Sequence, residues 1–503
     1  MAFKHVLVFL LTWALASTAM AELQSVEVGG SIRIRGRHWD NNYSRSFIGT
    51  GTPRYVGYNF AARPLGPFGL LSRFDFDSRG EDFTFVEQNT RLYVKADFSD
   101  DVGSFVEFES FGTWGSDFRS NYITGQDGTD APDLKLYQAY IETRNTVGLP
   151  LRARVGRQEM KLGKGWLVGD SITPALGFVF DGIRLTYQQN DLTIDAWSHK
   201  LAENNAGDND VDFYGLYGTY SGLENLSVSA WWMLVRDGAT ATDTTLGPGA
   251  EWLESYLGRD DYDPTYLNTV GLRFWGNLGA FDYDWELAYQ FGDADSVGAL
   301  FRPLTYGDND AEFDAFGTDL ILGYTLDRTW QPRIYVGGAY YEGEDNRDFR
   351  WGDRLFGGLR GTESSISFNR LFSDYGYGLL LDINSELSNF WQFRAGVDVK
   401  PTEKISGGLR VAYYESVAPF DTPVIPGLAP WTRENDDSLG WTTFLWSKYQ
   451  YSPDLSIAVI WEHLFTGDGL AQGNFFSRNA LEFTGGTDNE DANYLHFNIY
   501  IKF

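Results

Sequence analysis

Residues 281–291 read FDYDWELAYQF, and the polarity of this stretch alternates along its length. One set of alternate residues is aromatic or aliphatic: Phe281, Tyr283, Trp285, Leu287, Tyr289 and Phe291. The set between them is mostly acidic or amide: Asp282, Asp284, Glu286, Ala288 and Gln290. Successive side chains of a β-strand point to opposite faces, so the stretch predicts a strand with one apolar and one polar face.

The same alternation recurs along the chain. In residues 26–37, apolar residues and glycine alternate with charged ones, and the last stretch, 492–503, ends on Phe503 of its apolar set. In all, the pattern predicts eighteen strands. They are residues 26–37, 84–98, 102–114, 134–144, 151–158, 178–189, 191–201, 210–220, 225–236, 266–276, 280–292, 314–326, 332–343, 388–400, 404–415, 438–450, 454–465 and 492–503.

The connections between these strands alternate in length. Every second one is short and has a reverse-turn composition, such as Ser99-Asp100-Asp101 or Ser452-Pro453. The others are mostly long and polar: 38–83, 115–133, 237–265, 344–387 and 466–491. Short turns at one end and long loops at the other are typical of an all-β, transmembrane, antiparallel up-and-down barrel of the outer membrane. A series of soluble β-sandwich domains is the alternative, but it does not account for the even strand number and the asymmetric connections together.

The first 21 residues have the composition of an export signal. Lys4 precedes an apolar run at 6–15, and Ala19-Met20-Ala21 forms a small-residue cleavage site. The run is shorter than the roughly 20 residues of a membrane-spanning helix. We therefore expect a signal peptide at 1–21, a barrel domain at 22–503, and a location in the outer membrane of a Gram-negative bacterium.

Composition excludes several functional classes. The 503 residues include no cysteine, which removes disulfides, cysteine-ligated zinc, iron–sulfur clusters and c-type haem attachment. A net charge of −29 disfavours nucleic acid as a partner. Histidines are few, no nucleophile motif accompanies them, and Ser198 and His199 alternate to opposite faces. We expect no enzymatic activity, no metal and no cofactor.

If the apolar face meets lipid, the polar face lines the lumen. The inward bases are then Arg33, Arg35, Arg37, Arg91, Lys95, Arg152, Arg154, Arg184, Arg273, Arg333, Arg394, Arg410 and Lys448. The inward acids are Glu107, Glu109, Glu142, Asp195, Asp282, Asp284, Glu286, Asp319, Asp398 and Glu462. Thirteen bases against ten acids run counter to the acidic composition, and a line of arginines suits a hydrated carboxylate or phosphate polymer. The alternative is that these residues pair across strands, for example Arg91 with Glu107 or Arg273 with Glu286.

Short motifs in this framework resemble the alginate export family of outer-membrane barrels. They are Gly156-Arg157-Gln158 after residues 151–155, the FNRLFSDYG stretch at 368–376 before Leu387-Ser388-Asn389, and the Val399-Lys400-Pro401-Thr402 turn. The resemblance extends roughly over residues 84–503. It implies an eighteen-stranded monomeric barrel that passes an anionic polysaccharide outward, with Arg91, Arg152, Arg154 and Arg157 as conduction residues. Strict alternation puts Arg157 on the lipid side, so either a bulge turns it inward or it lies beyond the bilayer. The turn at Ser452-Pro453 is short where the alginate exporter has a longer loop.

The leading hypothesis is an outer-membrane channel for an anionic solute or polysaccharide. Its expected binding residues are Arg33, Arg35, Arg91, Lys95, Arg152, Arg154, Arg157, Arg184, Arg273, Arg394 and Arg410. One alternative is a general or sugar-selective porin constricted by loop 344–387 or 38–83, with inward aromatics at Tyr93, Tyr140, Trp197, Trp231, Trp275 and Tyr335. Another is a sheath barrel that houses a periplasmic or extracellular complex. Expected partners are outer-membrane lipid, lipopolysaccharide and possible periplasmic export proteins.

Overall fold

The computed structural model describes residues 23–43, 81–99, 101–115, 134–171, 177–203, 210–238, 265–293, 311–343, 364–382, 385, 387–418, 436–469, 475–478, 481–484 and 490–503. The expected signal peptide and most of loop 38–83 lie outside these residues. Among the described residues, no helix is long and apolar enough to cross a membrane.

Eighteen antiparallel strands form a closed barrel. In chain order they are β1 Ser25–Tyr43, β2 Glu81–Ser99, β3 Val102–Thr113, β4 Leu134–Thr143, β5 Leu151–Gln158, β6 Phe180–Gln189, β7 Leu192–Ala202, β8 Val211–Leu223, β9 Leu226–Asp237, β10 Thr265–Leu278, β11 Phe281–Asp293, β12 Ala311–Thr325, β13 Arg333–Tyr341, β14 Phe390–Thr402, β15 Ile405–Ser416, β16 Ser438–Gln450, β17 Leu455–Thr466 and β18 Ala492–Lys502. Each strand pairs with the next, and β18 pairs with β1 from Ser31↔Lys502 to Asp40↔Asn493, which closes the ring.

The predicted fold class and strand number are confirmed. The bounds of β5 and β16 are those predicted, whereas β1 continues to Tyr43, six residues beyond the predicted end. The described residues also contain four short strands, Ser364–Ile366, Leu387–Ser388, Phe475–Arg478 and Leu481–Thr484, and the 3-10 turn Thr146–Gly148. Ser364–Ile366 pairs in parallel with β12, so it adds a short segment beside the barrel wall.

The two faces of the wall differ as the alternation predicted. Apolar side chains on the outer face are widely exposed, for example Val28 at 70% and Leu92 at 49%. Polar residues on the inner face of the same two strands are far less exposed, as Arg35 and Glu87 show at 2% each. Soluble proteins rarely expose so much contiguous apolar surface, so this outer wall fits hydrocarbon rather than water.

Two connecting segments pack inside the barrel. We call residues 159–171, which follow β5, the strap, and residues 367–382, which precede β14, the plug segment. They form a buried apolar core with the inner wall, which includes Trp166, Phe368 and Phe372 from the segments and Phe180 and Tyr341 from the wall. The segments therefore narrow the lumen and are part of its structure.

Candidate functional site

Ten of the eleven expected binding residues lie on the inner face of the wall. They are Arg33, Arg35, Arg91, Lys95, Arg152, Arg154, Arg184, Arg273, Arg394 and Arg410. The period-two alternation places them there, because the residues between them carry the exposed apolar side chains. What these cations can bind depends on how many of them lack a carboxylate partner in the wall.

Arg157 is the exception, and its assignment to the lumen is wrong. Its side chain shares the outer face with Val155 and is 43% exposed. It donates two hydrogen bonds to Asp181, its cross-strand neighbour on β6, at 2.8 and 2.7 Å. The strand keeps strict alternation here. The lumen position implied by the family motif is therefore wrong for Arg157, and the outer position predicted by alternation is correct.

Most of the inward arginines pair with inward acids. Arg273 contacts Asp284 at 2.6 Å and Glu286 at 3.6 Å, which confirms the expected cross-strand pairing for that residue. Arg91 pairs with Glu109 at 3.0 Å and with Glu159 of the strap at 2.9 Å, instead of with Glu107. The other close pairs are Arg184 with Asp195, Arg333 with Asp282, Arg394 with Asp319, and Lys95 with Asp97. The wall is therefore closer to charge balance than its count of bases suggested.

The arginines of β1 share an acid that sequence analysis did not assign to the lumen. Glu87 on β2 forms ion pairs with Arg35 at 2.6 Å and with Arg37 at 3.4 Å, and it is 2% exposed. The register pairs Arg35 directly with Glu87, which explains the contact. Glu87 sits at an inward position of a predicted strand, so alternation alone could have found it.

A group on β5 and β6 retains an excess of positive charge. Arg154 and Arg184 lie directly opposite each other in the register, and Arg152 is two residues along the same strand. Glu142 accepts from Arg154 at 2.6 Å, and Asp195 accepts from Arg184 at 2.9 Å. Among the described residues, no carboxylate lies within 4 Å of the Arg152 guanidinium, so this group carries one unopposed cation.

Inward aromatic rings lie under many of these guanidinium groups. Arg154 lies 4.7 Å from the Tyr140 ring, and Arg273 lies 4.4 Å from the Trp275 ring. The same arrangement occurs for Arg33 on Tyr500, Arg91 on Tyr137, Arg333 on Tyr335 and Arg410 on Phe444. Stacking holds each planar cation flat against the wall while its N–H edges stay available.

Glycines set the position of several inward rings. Trp231 lies over Gly271, and a Cβ on that glycine would approach the ring to 2.3 Å. Trp197 lies over Gly215 in the same way, and Tyr335 lies over Gly396. Because each glycine faces the aromatic residue directly across the ladder, the large ring lies along the wall instead of projecting into the lumen.

The strap crosses the lumen from β5 to the opposite wall. Glu159 at its start is held by Arg91 and accepts from the Tyr137 hydroxyl at 2.5 Å. Lys164, near its middle, reaches Asp319 at 2.8 Å, Asp284 at 3.3 Å and Glu286 at 3.4 Å. These carboxylates raise the pKa of Lys164, although burial opposes that rise. The strap is therefore fastened to walls on both sides of the barrel.

Gly163 and Gly165 flank Lys164 in positive-φ conformations, at φ 56° and 82°. A Cβ on Gly163 would lie 2.9 Å from both the Arg273 guanidinium and the Tyr217 hydroxyl. Glycine satisfies both the left-handed backbone and the close approach. The Gly-Lys-Gly sequence at 163–165 was a signal that sequence analysis left unused.

A fully buried ion pair joins the two ends of the plug segment to each other. Arg370 donates to Asp382 at 2.7 Å, and both side chains have 0% exposure. The pKa of Asp382 is raised by burial, although Arg370 opposes that effect. Wall residues complete the anchorage: Arg410 donates to the Tyr377 carbonyl at 2.6 Å, and the Tyr377 hydroxyl donates to Asp319 at 3.1 Å.

The strap and the plug segment also bind each other. The Phe372 N–H donates to the Leu167 carbonyl at 2.9 Å, and the Gly169 N–H donates to the Phe372 carbonyl at 2.8 Å. Lys161 forms an ion pair with Asp374. Burial raises the pKa of Asp374 to about 6. Together the segments form one constriction made from parts of the chain about 200 residues apart.

Comparison with known proteins gives the family framework. A model of the alginate export family matches residues 71–417. The chain is similar to three solved structures from Pseudomonas aeruginosa. For OccK3 (OpdO) the identity is 13%, with 95% of this chain and 96% of that chain covered and a TM-score of 0.48. For outer membrane protein OpdK the identity is 10%, with 95% of this chain and 99% of that chain covered and a TM-score of 0.49. For OprD the identity is 11%, with 96% of this chain and 97% of that chain covered and a TM-score of 0.48. No curated protein matches the chain.

Proposed function

This chain belongs to the alginate export family and forms an outer-membrane channel, and from that premise we propose that the solute it passes is anionic. In this proposal the inward arginines form the solute path. The strap and the plug segment set its width.

The observation that carries the proposal is the group of Arg152, Arg154 and Arg184. Three guanidinium groups occupy neighbouring inward positions, with two carboxylates beside them. Like charges directly opposite each other on a sheet are unfavourable unless something compensates them. A carboxylate or phosphate on a passing solute would supply that compensation, and guanidinium groups bind both through paired N–H donors.

A second feature supports the proposal: most inward arginines of the wall are paired with an inward carboxylate. A solute anion can exchange with a wall carboxylate for the same guanidinium, so each contact is made and lost at low net cost. Conduction needs binding that is strong enough for entry and weak enough for exit. A wall of half-neutralised arginines meets that requirement better than a row of bare cations.

The test is the reversal potential of the refolded barrel in a planar bilayer across a salt gradient. We expect anion selectivity in the wild type and a fall in the anion-to-cation permeability ratio in Arg152→Gln. A unit charge about 4 Å from an ion in water contributes about 1 kcal/mol, so the fall should be up to about fivefold. Arg157→Gln is the matched control, because it removes the same charge from the outer face of the same strand.

Two results would count against the proposal. Cation selectivity of the wild type would rule out an anionic solute path. An equal permeability ratio in the wild type and Arg152→Gln would remove Arg152 from the path, even if the channel were anion-selective.

A second candidate is a selective porin for small solutes. It is favoured by the strap, whose Lys164 is fastened to the wall opposite β5. Such a porin would pass monomers and be blocked by oligomers. Current measured with uronate monomers and with uronate oligomers of increasing length separates this candidate from a polymer channel.

A further inference from the structure

A cleft of about 600 Å³ lies at the barrel end that carries the short turns. Its lining comes from three places: the turn between β12 and β13, the turn between β14 and β15, and the last residues of β16. The charged lining residues are Arg328, Lys400, Lys404, Lys448 and Glu403, and Trp330 lies beside them. Four cations and one acid therefore share one small cavity in a protein whose net charge is −29.

These four cations differ from most others in the protein. Cations of the inner wall, such as Arg273 and Arg394, have carboxylates within 3 Å. In the part of the chain that the structure describes, no carboxylate lies within 4 Å of Arg328, Lys400 or Lys448. Lys404 contacts a backbone carbonyl, that of Tyr451, at 3.5 Å. In the described structure, then, no ion pair at contact distance occupies Arg328, Lys400 or Lys448.

Backbone hydrogen bonds fix the turn between β12 and β13 that lines the cleft. Trp330 and Gln331 both have positive φ, at 75° and 43°, and the Trp330 carbonyl accepts from the Lys400 N–H at 2.8 Å. The Leu326 N–H donates to the Pro332 carbonyl at 2.8 Å and closes the same turn. These bonds fix the first turn against β14, so the cations project from a preformed frame.

Two residues of the cleft also belong to the inner face of the wall. Lys400 and Lys448 occupy inward positions at the ends of β14 and β16. Asp398, two residues before Lys400, lies 3.5 Å from Arg333 of the inner wall. A chain that leaves the cleft along β14 therefore meets the inward arginines next.

We propose that this cleft is a binding site for an extended polyanion at the periplasmic mouth of the channel. Its ligand carries carboxylate or phosphate groups at successive positions, which the four cations bind, while the exposed Trp330 ring packs against the backbone of the ligand. The occupant is the anionic solute before it enters the lumen. In that respect the inference rests on the proposed function and adds an entry site to it.

The experiment compares the wild type with the triple variant Lys400→Gln/Lys404→Gln/Lys448→Gln. All three side chains lie at the exposed end of the barrel, so the variant should fold. The probes are tetragalacturonate, which carries carboxylates, and inorganic tripolyphosphate, which carries phosphates. Each probe is added to the side of the short turns, and the half-blocking concentration is read from the ion current. Lys502→Gln, at the same end of β18 but outside the cleft, is the matched control.

We expect at least one probe to block from that side. Its half-blocking concentration should rise at least about tenfold in the triple variant, because three exposed ion pairs are lost. It should change less than about twofold in Lys502→Gln. The preferred probe identifies carboxylate or phosphate as the recognised group. Equal block in the wild type and the triple variant would overturn the inference, as would the absence of block by both probes.

The two proposals fail in different measurements. The reversal potential in simple salt tests the anionic path and depends on Arg152. Block by the probes tests the cleft and depends on Lys400, Lys404 and Lys448. A cation-selective channel that still binds tripolyphosphate at the cleft would refute the anionic path and its solute as the occupant, and would leave the cleft as a polyanion site.

Discussion

Replacement of Lys164 by methionine should release the strap from the far wall. The ammonium group is the only strap cation that contacts Asp284, Glu286 and Asp319 in the described structure, and it is 14% exposed. Methionine keeps an unbranched side chain that is one heavy atom shorter, and it removes the charge. The buried carboxylates would then face one another with less compensation.

The magnitude follows from the partners that remain. Breaking a buried ion pair by removal of one partner costs roughly 3–5 kcal/mol. Asp319 keeps Arg394 at 2.7 Å, and Asp284 keeps Arg273 at 2.6 Å, so the lower end of that range applies. A loss of about 3 kcal/mol changes the equilibrium between fastened and released strap by about a hundredfold.

Two assays report on the strap. Amide hydrogen exchange over residues 160–166 should accelerate by about a hundredfold if exchange occurs through release of the strap. Single-channel conductance should rise, because the strap then leaves the middle of the lumen. Lys161→Met is the control, since Lys161 is on the same strap but 41% exposed, and loss of its ion pair should cost below about 1 kcal/mol. Unchanged exchange and conductance in Lys164→Met would refute the view that these contacts hold the strap.

Two further predictions concern the wall and the contact between the inner segments. Gly271→Ala should destabilise the barrel by about 1–3 kcal/mol, since its Cβ would meet the Trp231 ring at 2.3 Å. Urea unfolding in detergent measures this, and Gly36→Ala, whose Cβ would have no neighbour within 4 Å, should lie close to the wild type. Burial raises the pKa of Asp374 to about 6, so its contribution to stability is greatest below its usual pKa and is lost as pH rises through about 6. Strap exchange, corrected for intrinsic rates, should therefore slow from pH 7.5 to pH 5 in the wild type; the same slowing in Asp374→Asn would contradict this assignment.

For Arg157, side-chain alternation and the family motif led to different predictions. Period-two alternation put Arg157 on the outer face, while the family motif put it among the conduction residues. The structure places it outside, bound to Asp181. Alternation is a property of the strand backbone, so it holds wherever the ladder is unbroken, whereas a motif position carries no information about the side of a wall.

The sequence by itself determined the strands, their number, their two faces and the identity of the inward arginines. These follow from interactions within a few residues: the alternation of side chains along one strand and the turn residues that follow it. Only the tertiary structure decided which acid neutralises which arginine, and that the strap, together with residues 367–382 of loop 344–387, narrows the lumen. The contacts that settle this join residues far apart, such as Lys164 to Asp319 and Lys161 to Asp374. They depend on the closure of the barrel and the register of all its strands, which bring distant side chains into one enclosed space, and no local pattern contains that information.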